Sequence, residues 1–253
     1  MSLALKLVLS PLLVAQAVGT RRRLPRLPEP DGPRSGQAGQ GPLLRLLVAG
    51  DSSAAGVGVV HQREALAGQL ATALGRACRA RVQWRLVARS GLNTAQTLAL
   101  LREHPPRAED LADVAVVVTG VNDVVEQVPS QRAVRAREAL ADWLRNALAV
   151  QHVVFAPLPP IHHFPGLPQP LRWVAGSDAR RHNAALARWA ASRGDVSLVP
   201  MEVPLNRGVM AADGFHPGPP VYRYSAMAIA EHVAAHVHPR LRLPAAAAAP
   251  VRG

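Results

Sequence analysis

The chain has 253 residues, 49% of them hydrophobic, enough for one α/β domain with a substantial core and too apolar for a disordered polypeptide. The net charge of +12 rests on 28 Arg and one Lys (Lys6), yet residues 21–23 are the one run of three and aromatics make up 4%, which argues against a nucleic-acid-binding surface. Cys78 stands alone, so no internal disulfide ties the fold to an oxidising compartment, and cytosol and periplasm both stay open.

In chain order, residues 1–20 come first as an apolar segment interrupted by Lys6, Ser10, Pro11 and Gln16. Three readings compete. A signal peptide would end at Ala15-Gln16-Ala17, but Arg21–Arg23 just beyond would hinder export. A spanning helix is marginal in length. An uncleaved segment lying in a membrane interface, helped by the arginines, is the favoured reading and makes a membrane surface a candidate partner. The expected location is therefore cytoplasmic or membrane-associated, with periplasm or secretion as the alternative. Residues 21–42 read as a Pro/Gly/Arg-rich linker, and residues 241–253, with five consecutive Ala, as a disordered tail.

Between these ends, residues 43–240 alternate. Strand-length apolar runs occupy residues 43–49, 82–88, 114–119, 152–158 and 196–201. Helical periodicity occupies residues 61–79, 94–103, 131–150, 171–192 and 220–237. This order predicts an α/β fold in which five parallel strands lie between two helical layers.

Ligands in such sheets bind beyond the carboxyl ends of the strands. The first strand runs into Gly50-Asp51-Ser52-Ser53, the second into Ser90-Gly91-Leu92-Asn93, and the third into Gly120-Val121-Asn122-Asp123. Ser52 supplies a nucleophile if a base takes its proton. The Ser52 amide, the Gly91 amide and the Asn122 side chain supply three donors for an oxyanion. Near the C-terminus, D-G-F-H-P-G sets Asp213 three residues before His216, a spacing that lets a carboxylate orient an imidazole base. Singly, each element has an ordinary structural reading as a turn or cap. Jointly, each follows its own strand and the acid–base pair comes last, and that order points to acyl transfer. Ser53, one step further round the turn, is expected to face away from the pocket as a local cap.

These blocks resemble the SGNH, or GDSL-type, hydrolase family. The resemblance rests on G-D-S (residues 50–52), the lone Gly91, G-x-N-D (residues 120–123) and D-x-x-H (residues 213–216), and spans about four-fifths of the chain. It implies a flavodoxin-like three-layer α/β/α fold with a five-stranded sheet, and esterase, lipase or thioesterase chemistry without a metal or cofactor. It also implies Ser52, His216 and Asp213 as nucleophile, base and orienting acid. The family's usual Leu after the nucleophile is Ser53 here. Short acyl esters, acetylated sugars, thioesters and lysophospholipids all stay open as substrates, as does a binding protein of the same fold that has lost catalysis. In the Pro-rich stretch after the fourth strand, Ile161 and Phe164 are candidate pocket walls. His162 and His163 lack the Cys or carboxylate neighbours that a zinc site needs.

Overall fold

Residues 114–118 read V-A-V-V-V, with no polar face, and such a run is stable as a strand only when covered on both sides. In the computed structural model, which describes residues 3–202 and 205–243, this strand lies inside the sheet. The strands are β1 (Ser35–Ala38), β2 (Leu43–Gly50), β3 (Arg81–Ala88), β4 (Val114–Val118), β5 (His152–Phe155) and β6 (Val196–Leu198). Their spatial order is β1-β3-β2-β4-β5-β6. β2 to β6 are parallel, in the flavodoxin-like order, and β1 runs antiparallel to β3.

The sheet thus has six strands among the described residues where five are expected. The extra one lies in the segment read as a linker. Ser35–Ala38 (S-G-Q-A) has no apolar alternation to announce it, and is held by backbone pairing of Ser35 with Arg85 through Ala38 with Val82. The tail beyond residue 243 lies outside the described residues.

The helices are α1 (Leu3–Arg23), α2 (Ser52–Ala55), α3 (Leu66–Ala77), α4 (Thr94–Leu101), α5 (Val121–Val125), α6 (Ser130–Leu148), α7 (Leu171–Ala191) and α8 (Pro219–His232). Period-two alternation divides the core between two faces. Leu44, Leu46, Val48, Val114 and Val116 pack with α3 and α8. Leu47, Ala49, Ala115 and Val117 pack with α4, α6 and α7. β5 stops at Phe155, short of the expected residue 158, because the prolines at 157, 159 and 160 cannot donate to a ladder.

From β3, on one side of β2, the chain passes to β4 on the other. The winding therefore reverses at the carboxyl ends of β2 and β4, which is where such a sheet opens a crevice. α2 starts directly after β2 and α5 three residues after β4, so both short helices rise from that crevice.

Candidate active site

Gly50 lets the two strand ends close up. Its φ is +154°, and a Cβ there would lie 2.0 Å from the Val118 carbonyl oxygen. Asp51 then donates its amide to that same oxygen at 3.1 Å, and its buried carboxylate caps α2 by accepting from the Ser53 amide at 2.9 Å. Ser52 is thereby the first residue of α2, where its own N–H has no intrahelical acceptor. Its hydroxyl lies 3.1 Å from His216 Nε2, across 164 residues of sequence.

The loop before α8 is organised by Asp213. One carboxylate oxygen accepts from the Phe215 and His216 amides at 2.9 Å each, and the other meets His216 Nδ1 at 2.5 Å. Burial works to raise the Asp213 pKa, but the hydrogen bonds from the His216 ring and the two amides outweigh it and hold the group below its ordinary value. An ionised Asp213 keeps the proton on Nδ1 and leaves Nε2 to accept from Ser52. The three residues named from the sequence come together in one hydrogen-bonded line.

The turn after β3 is held from several sides. Gly91 has φ +85°, and among the described residues no atom beyond its two chain neighbours lies within 4 Å of where its Cβ would be. The left-handed backbone, rather than crowding by the protein, requires glycine here. Asn122, the second residue of α5, donates one amide hydrogen to the Leu92 carbonyl at 2.9 Å. Its neighbour Asp123 accepts from the Thr94 amide at 3.2 Å and the Thr94 hydroxyl at 2.7 Å. From the supposed linker, Glu29 accepts from both the Ser90 amide and the Ser90 hydroxyl at 2.8 Å. The other Glu29 oxygen pairs with Arg34 at 2.8 Å, and Arg34 in turn donates to the Ala88 carbonyl at the end of β3.

A cavity of about 90 Å³ opens beside Ser52, Asn122 and His216, with Phe164, Met201 and Phe215 among its walls. Phe164 meets Phe215 edge-on with ring centroids 5.2 Å apart, and the Gly166 amide ties the Pro-rich loop to the Gly214 carbonyl at 2.9 Å. Of the two expected wall residues, only Phe164 borders the cavity. Ile161, 2% exposed, is turned into a cluster with Val124, Leu158 and Ala179. Ser53 is among the residues that border the cavity, and the cap on α2 expected of it is supplied by Asp51. His162 and His163 stack on each other and line an outer cleft that shares Leu158, Met201 and Leu205 with the cavity; among the described residues no group of three His, Cys, Asp or Glu is placed to hold a metal ion.

A model of the GDSL-like lipase/acylhydrolase family matches residues 48–224. The chain belongs to this family. No curated protein matches it. Among solved structures, it is similar to the lipase Lip_vut3 from a goat rumen metagenome, with 18% identity, 76% of this chain and 98% of that chain covered, and a TM-score of 0.60. It is also similar to a lipase/acylhydrolase from Enterococcus faecalis, with 17% identity, coverage of 79% and 98%, and a TM-score of 0.53. A third is a carbohydrate esterase family 2 enzyme with its carbohydrate-binding domain from Corynascus thermopiles (Myceliophthora fergusii), with 14% identity, coverage of 84% and 68%, and a TM-score of 0.61. At these identities the structures bear on fold alone, and the family match makes the chain a hydrolase of the esterase/lipase type acting on esters.

Beneath the GDSL-like site lies a buried charge group that motif reasoning does not reach. Arg137, 1% exposed, has its guanidinium 4.0 Å from Asp123 and 3.4 Å from the Thr119 carbonyl. Its Nε and Nη1 have no hydrogen-bond partner among the described residues. Burial lowers the Arg137 pKa, while Asp123 and Asp51 pull it back up. Burial likewise pushes Asp51 up to about 7, with the Ser53 amide and His216 opposing and Asp123 adding to the rise. A sequence signal for Arg137 exists: it falls at helical spacing among Ala133, Leu140, Ala141, Leu144 and Leu148, on the apolar face of α6. Glu29 carries no comparable local signal, because its partner is 61 residues away.

Proposed function

We propose that the chain hydrolyses carboxylic esters of short acyl groups through an acyl-enzyme on Ser52. The Ser52 oxygen attacks the ester carbonyl carbon while its proton passes to His216 Nε2, and the resulting imidazolium is stabilised by Asp213. The negative charge that develops on the carbonyl oxygen is met by the Ser52 and Gly91 amides and by the Asn122 side chain. The tetrahedral intermediate collapses as the C–O bond to the alcohol breaks, and His216 returns its proton to the departing oxygen. Water then attacks the acyl-enzyme with His216 as base, releasing the acid and restoring Ser52. The observation that carries this reading is the unbroken line from Asp213 through His216 to Ser52 at 2.5 and 3.1 Å, opening onto an apolar cavity.

The cavity size supports the acyl range. At about 90 Å³ it is below the roughly 150 Å³ that accommodates benzene, so it suits an acyl chain of about two to four carbons, and a longer chain would have to cross Met201 and Leu205 into the adjoining outer cleft. Turnover of p-nitrophenyl esters should accordingly peak between acetate and butyrate and fall by roughly tenfold or more at octanoate. A maximum at long chains would reject the short-acyl assignment. Absence of turnover on every ester would favour a binding protein on the same fold.

A further inference from the structure

We infer that α1, together with Trp173, forms a docking surface for an anionic lipid bilayer. α1 is fastened to the domain along one side only. Leu9, Leu13, Gln16 and Thr20, at helical spacing, are its more buried positions. Gln16 grips the start of α7 from both ends of its amide, donating to the Gln169 carbonyl at 2.6 Å and accepting from the Leu171 amide at 3.1 Å. The other side shows Leu7, Val8, Leu12, Val14 and Val18 to solvent, Val8 at 76% exposure. Trp173, 43% exposed, stands in the same first turn of α7 that Gln16 grips. Exposed apolar side chains grouped along one side of a helix mark an interaction site, and Trp is favoured at the boundary between lipid and water.

Charge selects the occupant. α1 contains no acidic residue and ends in Arg21, Arg22 and Arg23, all exposed, with Arg26 exposed just beyond. An apolar stripe flanked by arginines is complementary to acyl chains beneath anionic headgroups. A second copy of the chain fits less well. From residue 7 to residue 18 the stripe is about 17 Å long and one helix wide, or roughly 200 Å², against about 800 Å² per partner in a stable interface. No described helix is long and apolar enough to cross a membrane, so the helix lies along the surface. The Gln16 grip has a further consequence. It joins the anchor to the end of the Pro-rich loop whose Phe164 walls the cavity, so docking holds that wall beside the lipid.

The test uses the full chain. It should co-sediment with vesicles of phosphatidylcholine and phosphatidylglycerol and bind pure phosphatidylcholine at least tenfold more weakly. Arg21→Gln, Arg22→Gln and Arg23→Gln combined should weaken binding to the anionic vesicles by on the order of 100-fold, at about fivefold per arginine. Leu12→Glu with Val14→Glu should abolish it, and both variants should keep wild-type hydrolysis of a soluble ester as evidence of intact folding. Brominated lipid should quench a part of the tryptophan emission that is missing in Trp173→Phe. The inference is overturned if the active, folded chain does not bind, if it binds neutral vesicles equally, or if Leu12→Glu with Val14→Glu still binds. It is equally overturned if these substitutions dissolve a dimer instead, or if alkaline carbonate fails to extract the bound protein.

Discussion

The two walls of the site weight the same forces differently: both are tied by polar bonds, Asn183 gripping both backbone groups of Leu158 on the Pro-rich loop, but only that loop also packs an apolar cluster of its own. The oxyanion side, residues 89–94, is a tight turn clamped by polar side chains from elsewhere: Glu29 on Ser90, Asn122 on Leu92 and Asp123 on Thr94. The acyl side is a Pro-rich loop whose buried residues, Leu158, Ile161 and Phe164, belong to a small apolar cluster with Val124 and Met210. Directional bonds position donors to fractions of an ångström, whereas apolar packing conserves shape and volume and tolerates repacking. On the proposed mechanism, the chemistry of the reaction belongs to the first wall and the choice of substrate to the second. Changes on the oxyanion side should therefore act on kcat, and changes on the loop should act on acyl-length preference.

The largest effect among these positions should come from Asn122→Ala, which removes an oxyanion donor and also frees the Leu92 carbonyl. kcat should fall by about 10²–10³ with KM within a factor of three. A large rise in KM at unchanged kcat would instead make Asn122 a ground-state contact.

Glu29→Ala tests the clamp from outside the motif blocks and should cost about tenfold in kcat, again with little change in KM, because a slightly displaced donor stabilises the transition state less. Glu29→Gln retains an acceptor for Ser90 and should recover most of that loss. Equal loss in both variants, or a matching loss of folded protein, would reduce Glu29 to a general structural role.

A pH-dependent effect on stability, rather than on kcat, concerns Asp51, buried between β2 and α2. Asp51 has a pKa raised from 3.8 to about 7 by burial. Below about pH 4 it is protonated in both folded and unfolded chains and contributes nothing to the pH dependence. As pH rises toward 7 the unfolded chain ionises first while the folded one keeps its proton, so stability from this group falls and then levels off above 7. Asp51→Asn can keep the cap on α2 and removes the titration. Its stability relative to wild type should rise by up to roughly 4 kcal/mol between pH 4 and pH 8, as measured by urea unfolding. A constant difference across that range would contradict the assignment.

The contrast between the walls also explains what was legible in the sequence. Strands and major helices were, because unbroken apolar runs such as V-A-V-V-V and the 3.6-residue helical repeats are each visible locally. The three strand-end turns and the loop at residues 213–216 before α8 could be located, because each carries a short Gly-rich and polar pattern of its own. β1 was not, since S-G-Q-A has no hydrophobic alternation and exists through pairing with β3. Glu29 was not, since its role is set by a residue 61 positions away. On the acyl wall, Ile161 and Phe164 look alike as apolar loop residues, and only the backbone turn at Ile161–His163 decides which of them faces the cavity. The cap on α2 expected of Ser53 is supplied instead by Asp51, the residue before the helix, whose carboxylate accepts from the Ser53 amide.

That last point bears on the central claim, since two adjacent serines border the cavity and one of them meets the imidazole. The direct measurement is peptide mass spectrometry of the chain after reaction with a fluorophosphonate. The adduct should sit on Ser52, its formation should vanish in Ser52→Ala and in His216→Ala, and it should persist in Ser53→Ala. An adduct on Ser53, or full ester hydrolysis in Ser52→Ala, would contradict it.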